Sequence, residues 1–469
     1  MNILLINTSL RPTSPVKMLN VGLGYIMTAI KNAGFDFQTL DIDAHRPSQE
    51  GIEYTLQKEK YDVVALSSIA SGYKMVKELC QTIRNYQPQA IIIVGNTVAS
   101  SIPITLLKYT RASVAVIGEG DDTIVDLLNQ IKIDPKGLYN VRGIYYKLGK
   151  DKITKTFDRP PIASLDDLPR INFDLLDVET YIQNGGEQVS RPLPGGLHKD
   201  DILMLPINTA RGCLYNCTFC YHAFKGVKYR NRSVKSVLDE AQHLVDKYAV
   251  NYIGFSDELT FYIKDQTDKF VTAMEEKWPN GTPFFWMANT RGDLLKSDTD
   301  INLVKRMKNA GCHGFFFSLE SANKNILKTM NKHLTKEQFI FQAEMVKKAG
   351  LPVWTSIVLG YPEENINTIR ETFGVCSDLG IYPSIGFVSP QPGSSFYEYA
   401  KEYKYITDEE AYLLSMSDRQ DLQINFTTMP DDEFLSCVKE EAIKCKNACG
   451  IELDDSKLFK TQYYQESKK

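Results

Sequence analysis

The chain has 469 residues, 43% of them hydrophobic and 24% charged, with 54 Lys plus Arg against 58 Asp plus Glu. That composition excludes a disordered chain, and the net charge of −4 argues against a nucleic-acid surface. The length exceeds what one core normally organises, so two or three domains are expected.

The opening MNILLINTSL has no basic segment and no long apolar core, and reads as a first strand instead of a secretory signal. Apolar runs such as AIIIVG (90–95) fall far short of the ~20 residues a membrane span needs. A cytoplasmic location is expected, where thiols stay reduced and clustered cysteines favour metal over disulfide.

Residues 1–135 alternate strand candidates with amphipathic stretches such as VGLGYIMTAIKNAG (21–34). The strand candidates are NILLIN (2–7), FQTLDI (37–42), DVVALSS (62–68), AIIIVG (90–95) and VAVIG (114–118). This rhythm predicts an α/β fold with a doubly wound, Rossmann-like parallel sheet whose ligand lies beyond the carboxyl ends of the strands. Those ends read Asn7 and Thr8; Ser67 and Ser68; Gly95, Asn96 and Thr97; Gly118, Glu119 and Gly120. All are small or polar, which lets backbone amides approach a bulky ligand.

Residues 136–200 read as a linker with a hairpin (VRGIYYKLGKDKITKTF) and Pro- and Gly-rich loops. Residues 201–400 start a second series: MLPINTA, YIGFSD, FFWMANT, GFFFSLE, VWTSIVLG and SIGFVS, separated by helical patterns. Six such units predict a partial, TIM-like barrel with its chemistry at the C-terminal strand ends. Residues 401–469 read as a helical C-terminal region.

Residues 211–224 read RGCLYNCTFCYHAF and place Cys213, Cys217 and Cys220, three of the nine cysteines, within eight positions. Three thiolates on one loop can wrap a single metal centre. Zinc commonly takes four protein ligands as paired C-x2-C knuckles, and no second knuckle follows at that distance. A [4Fe–4S] cluster held by three cysteines leaves one iron open to chelate a ligand. The spacing points to the cluster, with zinc or incidental loop thiols as alternatives.

This C-x3-C-x2-C loop, with Phe219 before its last cysteine, resembles the signature of the radical S-adenosylmethionine (SAM) superfamily. The resemblance runs from residue 203 to about 400. It implies that SAM binds the open iron and is cleaved reductively to methionine and a 5′-deoxyadenosyl radical, which takes a substrate hydrogen. It also implies SAM contacts for Phe219 and Tyr221, for Asp257 and Glu258 in FSDELT (255–260), and for Arg291 in ANTRGDLL (288–295). Ser318 and Glu320 in FFFSLESAN (315–323) and Gly360 in IVLGYPEE (357–364) complete that set, and SPQPGSSFYEYA (389–400) resembles the turn after the sixth strand. On the residues alone, Asp257 and Glu258 can equally be a solvated pair, and Arg291 a capping residue. Cys312 is a candidate hydrogen-atom donor or a core thiol. Cys437, Cys445 and Cys449 share one helical face, as packing thiols or an auxiliary cluster.

The front segments NVGLGYIMTAIKNAG, YDVVALSS, IIIVGNTVAS and VIGEGDDTIVDLL resemble the cobalamin-binding domain that precedes the barrel in one branch of the superfamily. The resemblance implies cobalamin along the strand ends, at Asn7, Thr8, Ser67, Ser68, Gly95, Asn96, Thr97, Gly118, Glu119 and Gly120. The first loop, NTSLRPTSPVKM, lacks the Asp-x-His-x-x-Gly that supplies a cobalt-binding His in the best-known cobalamin domains. Asp43-Ala44-His45 imitates it, but after the second strand.

The expected activity is cobalamin-dependent radical methylation of an unactivated carbon in a small-molecule or natural-product intermediate, with flavodoxin or ferredoxin as electron donor. One alternative is a radical SAM dehydrogenase, dehydratase, epimerase or rearrangement enzyme that has lost or repurposed cobalamin. The other is a metal-binding sensor without turnover.

Overall fold

The computed structural model describes residues 1–459 except Leu10, Thr13, residues 150–151 and residues 417–420. The polar C-terminal stretch therefore lies outside the described residues.

The front domain is built on β1 (Ile3–Asn7), β2 (Gln38–Asp41), β3 (Val63–Ser67), β4 (Ile91–Gly95) and β5 (Val114–Val116). They lie in the order β2-β1-β3-β4-β5 and pair in parallel throughout. Asn7 pairs with Asp41 and Ser67, and Ser67 with Gly95, so these strand ends form one rim.

Both faces of the sheet are covered, as an all-parallel sheet requires. Leu4, Ile6, Val64, Leu66, Ile92 and Val94 enter one core, while Ile3, Leu5, Val63, Ala65 and Ile93 enter the other. The unbroken apolar run inside NILLIN is what a strand buried on both faces requires.

The expected hairpin forms as β6 (Ile144–Leu148) and β7 (Lys152–Lys155), but it is not part of a linker. It continues the front sheet antiparallel to β5 and covers an edge that three-residue β5 would leave open.

The second half begins with β8 (Met204–Ile207). A two-residue antiparallel ladder follows, β9 (Ala210–Arg211) with β10 (Arg230–Asn231). Then come β11 (Tyr252–Phe255), β12 (Phe285–Asn289), β13 (Cys312–Phe316), β14 (Val353–Trp354), β15 (Ser356–Leu359) and β16 (Ser384–Phe387). The sheet order is β14-β13-β12-β11-β8, all parallel, and β15 pairs in parallel with β16. Thr355 alone separates β14 from β15, and a bridge from Glu320 to Ile357 carries the sheet across that break. The result is the expected six-strand partial barrel. Its core includes Phe255, Phe261, Phe270 and Trp286, with neighbouring rings mostly edge-on at 5.3 to 6.4 Å.

Beyond the barrel run helices Ser395–Glu402, Glu409–Ser415 and Asp431–Ala448. Phe396, Tyr397 and Leu413 share a core with Ile92 and Val94 of the front sheet, and Tyr73 reaches Glu410 at 3.3 Å. The C-terminal region thus ties the barrel to the front domain. Among the described residues no helix is long and apolar enough to cross a membrane.

Candidate active site

The cysteine loop, residues 212–229, is closed at its neck by β9 and β10, where Arg211 pairs with Arg230 and Ala210 with Asn231. Its middle is pinned through Thr218. That residue donates its backbone N–H to Met330 at 2.9 Å and accepts one from Phe396 at 2.9 Å. Asn331 Nδ2 donates to the Asn216 carbonyl at 2.9 Å, and Lys225 Nζ to the Cys220 carbonyl at 2.8 Å. Cys213 and Cys217 are half-buried and Cys220 is exposed.

Burial pushes the Cys217 thiol up, while Lys332 and Arg291 pull it down. Among the described residues no three His, Cys, Asp or Glu form a metal-holding group. The fit to an iron–sulfur cluster therefore rests on the donor set: three thiols on a loop whose backbone is fixed from outside.

The expected SAM residues divide sharply. Asp257 is spent on the chain itself. It accepts from Asn208 Nδ2 at 2.6 Å, Thr209 N at 2.7 Å, Ala210 N and Thr260 Oγ1 at 3.0 Å, and also from Thr209 Oγ1. It orders the strand end that enters the cysteine loop, and burial raises it to about 6.

Arg291 is likewise engaged by the chain. Its Nη2 donates to the Lys332 and His333 carbonyls at 2.8 and 2.6 Å, its Nε to Asp293, and it stacks on Tyr215 at 3.6 Å. Ser318 Oγ accepts from Ser356 at 2.8 Å, and Glu320 is paired with Lys332 at 2.8 Å. Glu320 also holds φ at +62°, a strained conformation for a residue with a Cβ. Gly360, at φ +96°, points its N–H at Glu364, 3.3 Å away.

Glu258, in contrast, lines an open cavity and accepts from Gly212 N at 3.3 Å; burial pushes it up to about 7. Phe219 packs into the core shared by the two halves. Tyr221 faces the cavity and lies on Gly393 of the expected Pro-Gly-Ser turn, where a Cβ would stand 2.4 Å from its ring. Cys312 sits at the first residue of β13, the end away from the cysteine loop, buried with its S–H on the Gly314 carbonyl at 3.3 Å. That placement fits the core-thiol alternative. Cys445 lies 3.9 Å from Cys449, and the helix carrying it packs on Ile366–Asp378.

The cavity, about 460 Å³, opens between the two halves. One wall is the rim of the front sheet: Ser67, Gly95, Asn96, Thr97, Gly118, Glu119 and Gly120. Behind that rim an apolar slot enters between the sheet and helices Val21–Asn32 and Asp121–Ile133, lined by Leu5, Leu23, Ile26, Ile93 and Ile124. Gly95 and Gly118 have nothing within 4 Å of where a Cβ would stand, so the rim is bare backbone. A bare rim above an apolar slot fits a bulky planar cofactor with an apolar appendage, the chemistry of cobalamin.

Asn7, Thr8 and Ser68 do not line the cavity. Asn7 donates to Asp41 and Tyr181, Thr8 to the Ser67 carbonyl, and Ser68 is buried. His45 sits 3.5 Å from Asp177 with its side chain 55% exposed, apart from the cavity.

The opposite wall belongs to the second half, with Asn208, Arg211, His222, Phe224 and Glu258. Here two functional features went unread in the sequence. His222 has a buried Nδ1 without a partner, and burial pushes it down to about 4, so the imidazole is neutral at pH 7. Arg211 forms a fork onto Asp121 at 2.9 and 3.0 Å and reaches Glu119 at 2.7 Å. Arg230, across the loop neck, takes the other Glu119 oxygen at 2.9 Å. Glu119 is thus committed to two arginines and offers a cofactor no spare charge. An acidic pair at 119–121 and an arginine before Gly212 were the only signal, with 90 residues between them.

A family model described as the radical SAM superfamily matches residues 207–376, and one described as the B12 binding domain matches residues 10–128. An uncharacterized methyltransferase of Pyrococcus horikoshii is 26% identical over 384 residues, 81% of this chain and 78% of the relative. The anaerobic magnesium-protoporphyrin IX monomethyl ester cyclase of Cereibacter sphaeroides is 25% identical over 363 residues; these are 76% of this chain but only 56% of the cyclase. Among solved structures, the radical SAM methyltransferase TsrM of Kitasatospora setae, with cobalamin and a [4Fe–4S] cluster bound, superposes with a TM-score of 0.66 at 16% identity. That likeness covers 97% of this chain and 89% of TsrM, and shows a shared fold. The chain belongs to the radical SAM superfamily, in the branch that carries a B12-binding domain ahead of the barrel.

Proposed function

We propose that this chain is a cobalamin-dependent radical SAM methyltransferase acting on an unactivated carbon of a small molecule. Cys213, Cys217 and Cys220 would hold the cluster, and the bare rim at Ser67, Gly95 and Gly118 would seat cobalamin. The observation that carries the reading is one cavity with the front-sheet rim on one wall and Tyr221 to Phe224 of the cysteine loop on the other. When bound, the cluster with SAM supplies a radical that removes a hydrogen atom, and cobalamin supplies the methyl group.

The chain's own residues do the rest. Thr218 and Asn331 hold the loop backbone in place. Tyr221, seated on Gly393, and Phe224 wall the cavity against water, which keeps a reactive radical from side reactions. Glu258, pushed up to about 7, can accept hydrogen bonds from a ligand amine or hydroxyl at neutral pH.

TsrM has been solved with tryptophan as substrate, and a cavity between two domains suits a substrate of that size class. A cytoplasmic flavodoxin or ferredoxin would supply the reducing electron. The cyclase relative favours a second reading, radical ring chemistry without methyl transfer.

The test is anaerobic reconstitution with iron, sulfide and hydroxocobalamin, then dithionite and SAM labelled in its methyl group. Expected are about four irons per chain, a corrinoid spectrum, 5′-deoxyadenosine, and label on the corrinoid. Label retained on methionine alone selects the second reading, and bound zinc without 5′-deoxyadenosine overturns both.

A further inference from the structure

The four-residue clasp between the halves has no counterpart among the surface ion pairs. Arg211 and Glu119 have side chains only 6% and 7% exposed, and Arg230 and Asp121 only 11% and 8%. Burying four charges is costly, and such a network is weak as a source of stability. It is also well placed. Both guanidiniums come from the two-residue neck of the cysteine loop, and both carboxylates stand at the rim of the front cavity. The Arg211 guanidinium lies between Tyr25, at 5.1 Å, and Phe224, at 5.7 Å. Tyr25, Glu119, Asp121, Arg211 and Phe224 all line the cavity, so whatever fills it touches the clasp. Arg230 Nη2 is buried without a partner, which leaves the clasp one hydrogen bond short and able to tighten.

We infer that this clasp couples the two cofactor sites: a corrinoid in the front cavity fixes the cysteine loop, so corrinoid and SAM strengthen each other's binding. The inference rests on the proposed function. A ligand that expels water from the cavity lowers the local dielectric around Glu119, Asp121 and Arg211, which strengthens their attraction. The stiffened neck then holds residues 212–229. Reciprocity follows from linkage, because a corrinoid that tightens SAM must itself be tightened by SAM to the same degree.

The experiment uses the full-length, cluster-reconstituted protein with hydroxocobalamin as probe. Hydrogen–deuterium exchange over residues 212–229 and the SAM dissociation constant are measured with and without it, in wild type, Arg230→Lys and Arg230→Gln, since Arg230 belongs to the clasp but does not line the cavity. In wild type, hydroxocobalamin is expected to slow exchange in the loop and tighten SAM at least ~5-fold. Arg230→Lys keeps the charge but loses the guanidinium that meets Glu119, and either variant is expected to show less than a ~2-fold effect while still binding the corrinoid. Wild type that binds hydroxocobalamin with loop and SAM affinity unmoved overturns the coupling and leaves the proposed function standing. Variants with the full wild-type effect overturn the role of the clasp. Wild type that binds no corrinoid overturns both.

Discussion

The two walls of the cavity are built on opposite principles. The front wall is backbone: Gly95, Asn96 and Gly118 expose main chain, and Asn96 holds φ at +71° to do so. The barrel wall carries side chains, and most of its polar residues already have partners. On that wall Arg211 forks onto Asp121 and Asn208 donates to Asp257; on the strand ends beyond it Asp257 accepts from four residues, Arg291 grips two carbonyls and a ring, and Glu320 has Lys332. A strand end that binds through backbone shows itself as small residues in the sequence. A strand end that binds through side chains does not, because buried charges find partners within the chain first.

The largest effect is expected on the barrel side, at the cysteines. Replacing Cys213, Cys217 or Cys220 with Ser should take 5′-deoxyadenosine formation to background, while circular dichroism stays native because the loop backbone is anchored by Thr218. Cleavage surviving all three replacements would remove the barrel wall from the chemistry.

Next in size is Asp257→Ala. It strips partners from two backbone N–H groups and from the polar groups of Asn208, Thr209 and Thr260. Buried groups left unsatisfied cost about 1–3 kcal/mol each, so a loss of about 3–4 kcal/mol is expected, read as a melting drop of about 6–12 °C. An unchanged melt would mean the carboxylate is free for a ligand, as the family resemblance had implied.

A third effect comes from Glu364, which burial raises from 4.5 to about 7 and which accepts from Gly360 N. Its folded pKa lies above its unfolded one, so its stabilisation is complete below pH ~4.5 and lost as pH rises through ~7. The loss is at most about 3 kcal/mol at ~1.36 kcal/mol per unit. Glu364→Gln should therefore melt with a flatter pH profile than wild type between pH 4.5 and 7. Parallel profiles would show that the raised value is not real.

Much of this molecule was legible from its sequence. The parallel front sheet, the six barrel strands and the cysteine loop follow from short apolar runs, helical spacing and thiol spacing, which are local. The hairpin was legible as a hairpin yet not as β6 and β7 of the front sheet, because pairing with Val114–Val116 is a tertiary choice. The clasp was not legible at all, since a guanidinium finds its carboxylates 90 and 92 positions away by shape and charge. The two alternatives for Cys312 stayed open in the sequence for a simpler reason. That residue begins β13, and only the direction of the strand decides which end of the barrel it occupies.

The smallest expected effect tests the front wall. Gly95→Leu adds a side chain where nothing lies within 4 Å of the Cβ position, and the backbone there needs no positive φ. Folding should be nearly indifferent, because an exposed substitution without clash or orphaned group stays within about 0.5 kcal/mol. A corrin lying on that rim would meet the new side chain, so hydroxocobalamin affinity should weaken about tenfold, equivalent to ~1.4 kcal/mol. The same substitution leaves the cysteine loop and Glu258 untouched, so SAM should still be cleaved. An unchanged corrinoid affinity would mean the bare backbone at Gly95 seats nothing, and the contrast between the two walls would lose its functional meaning.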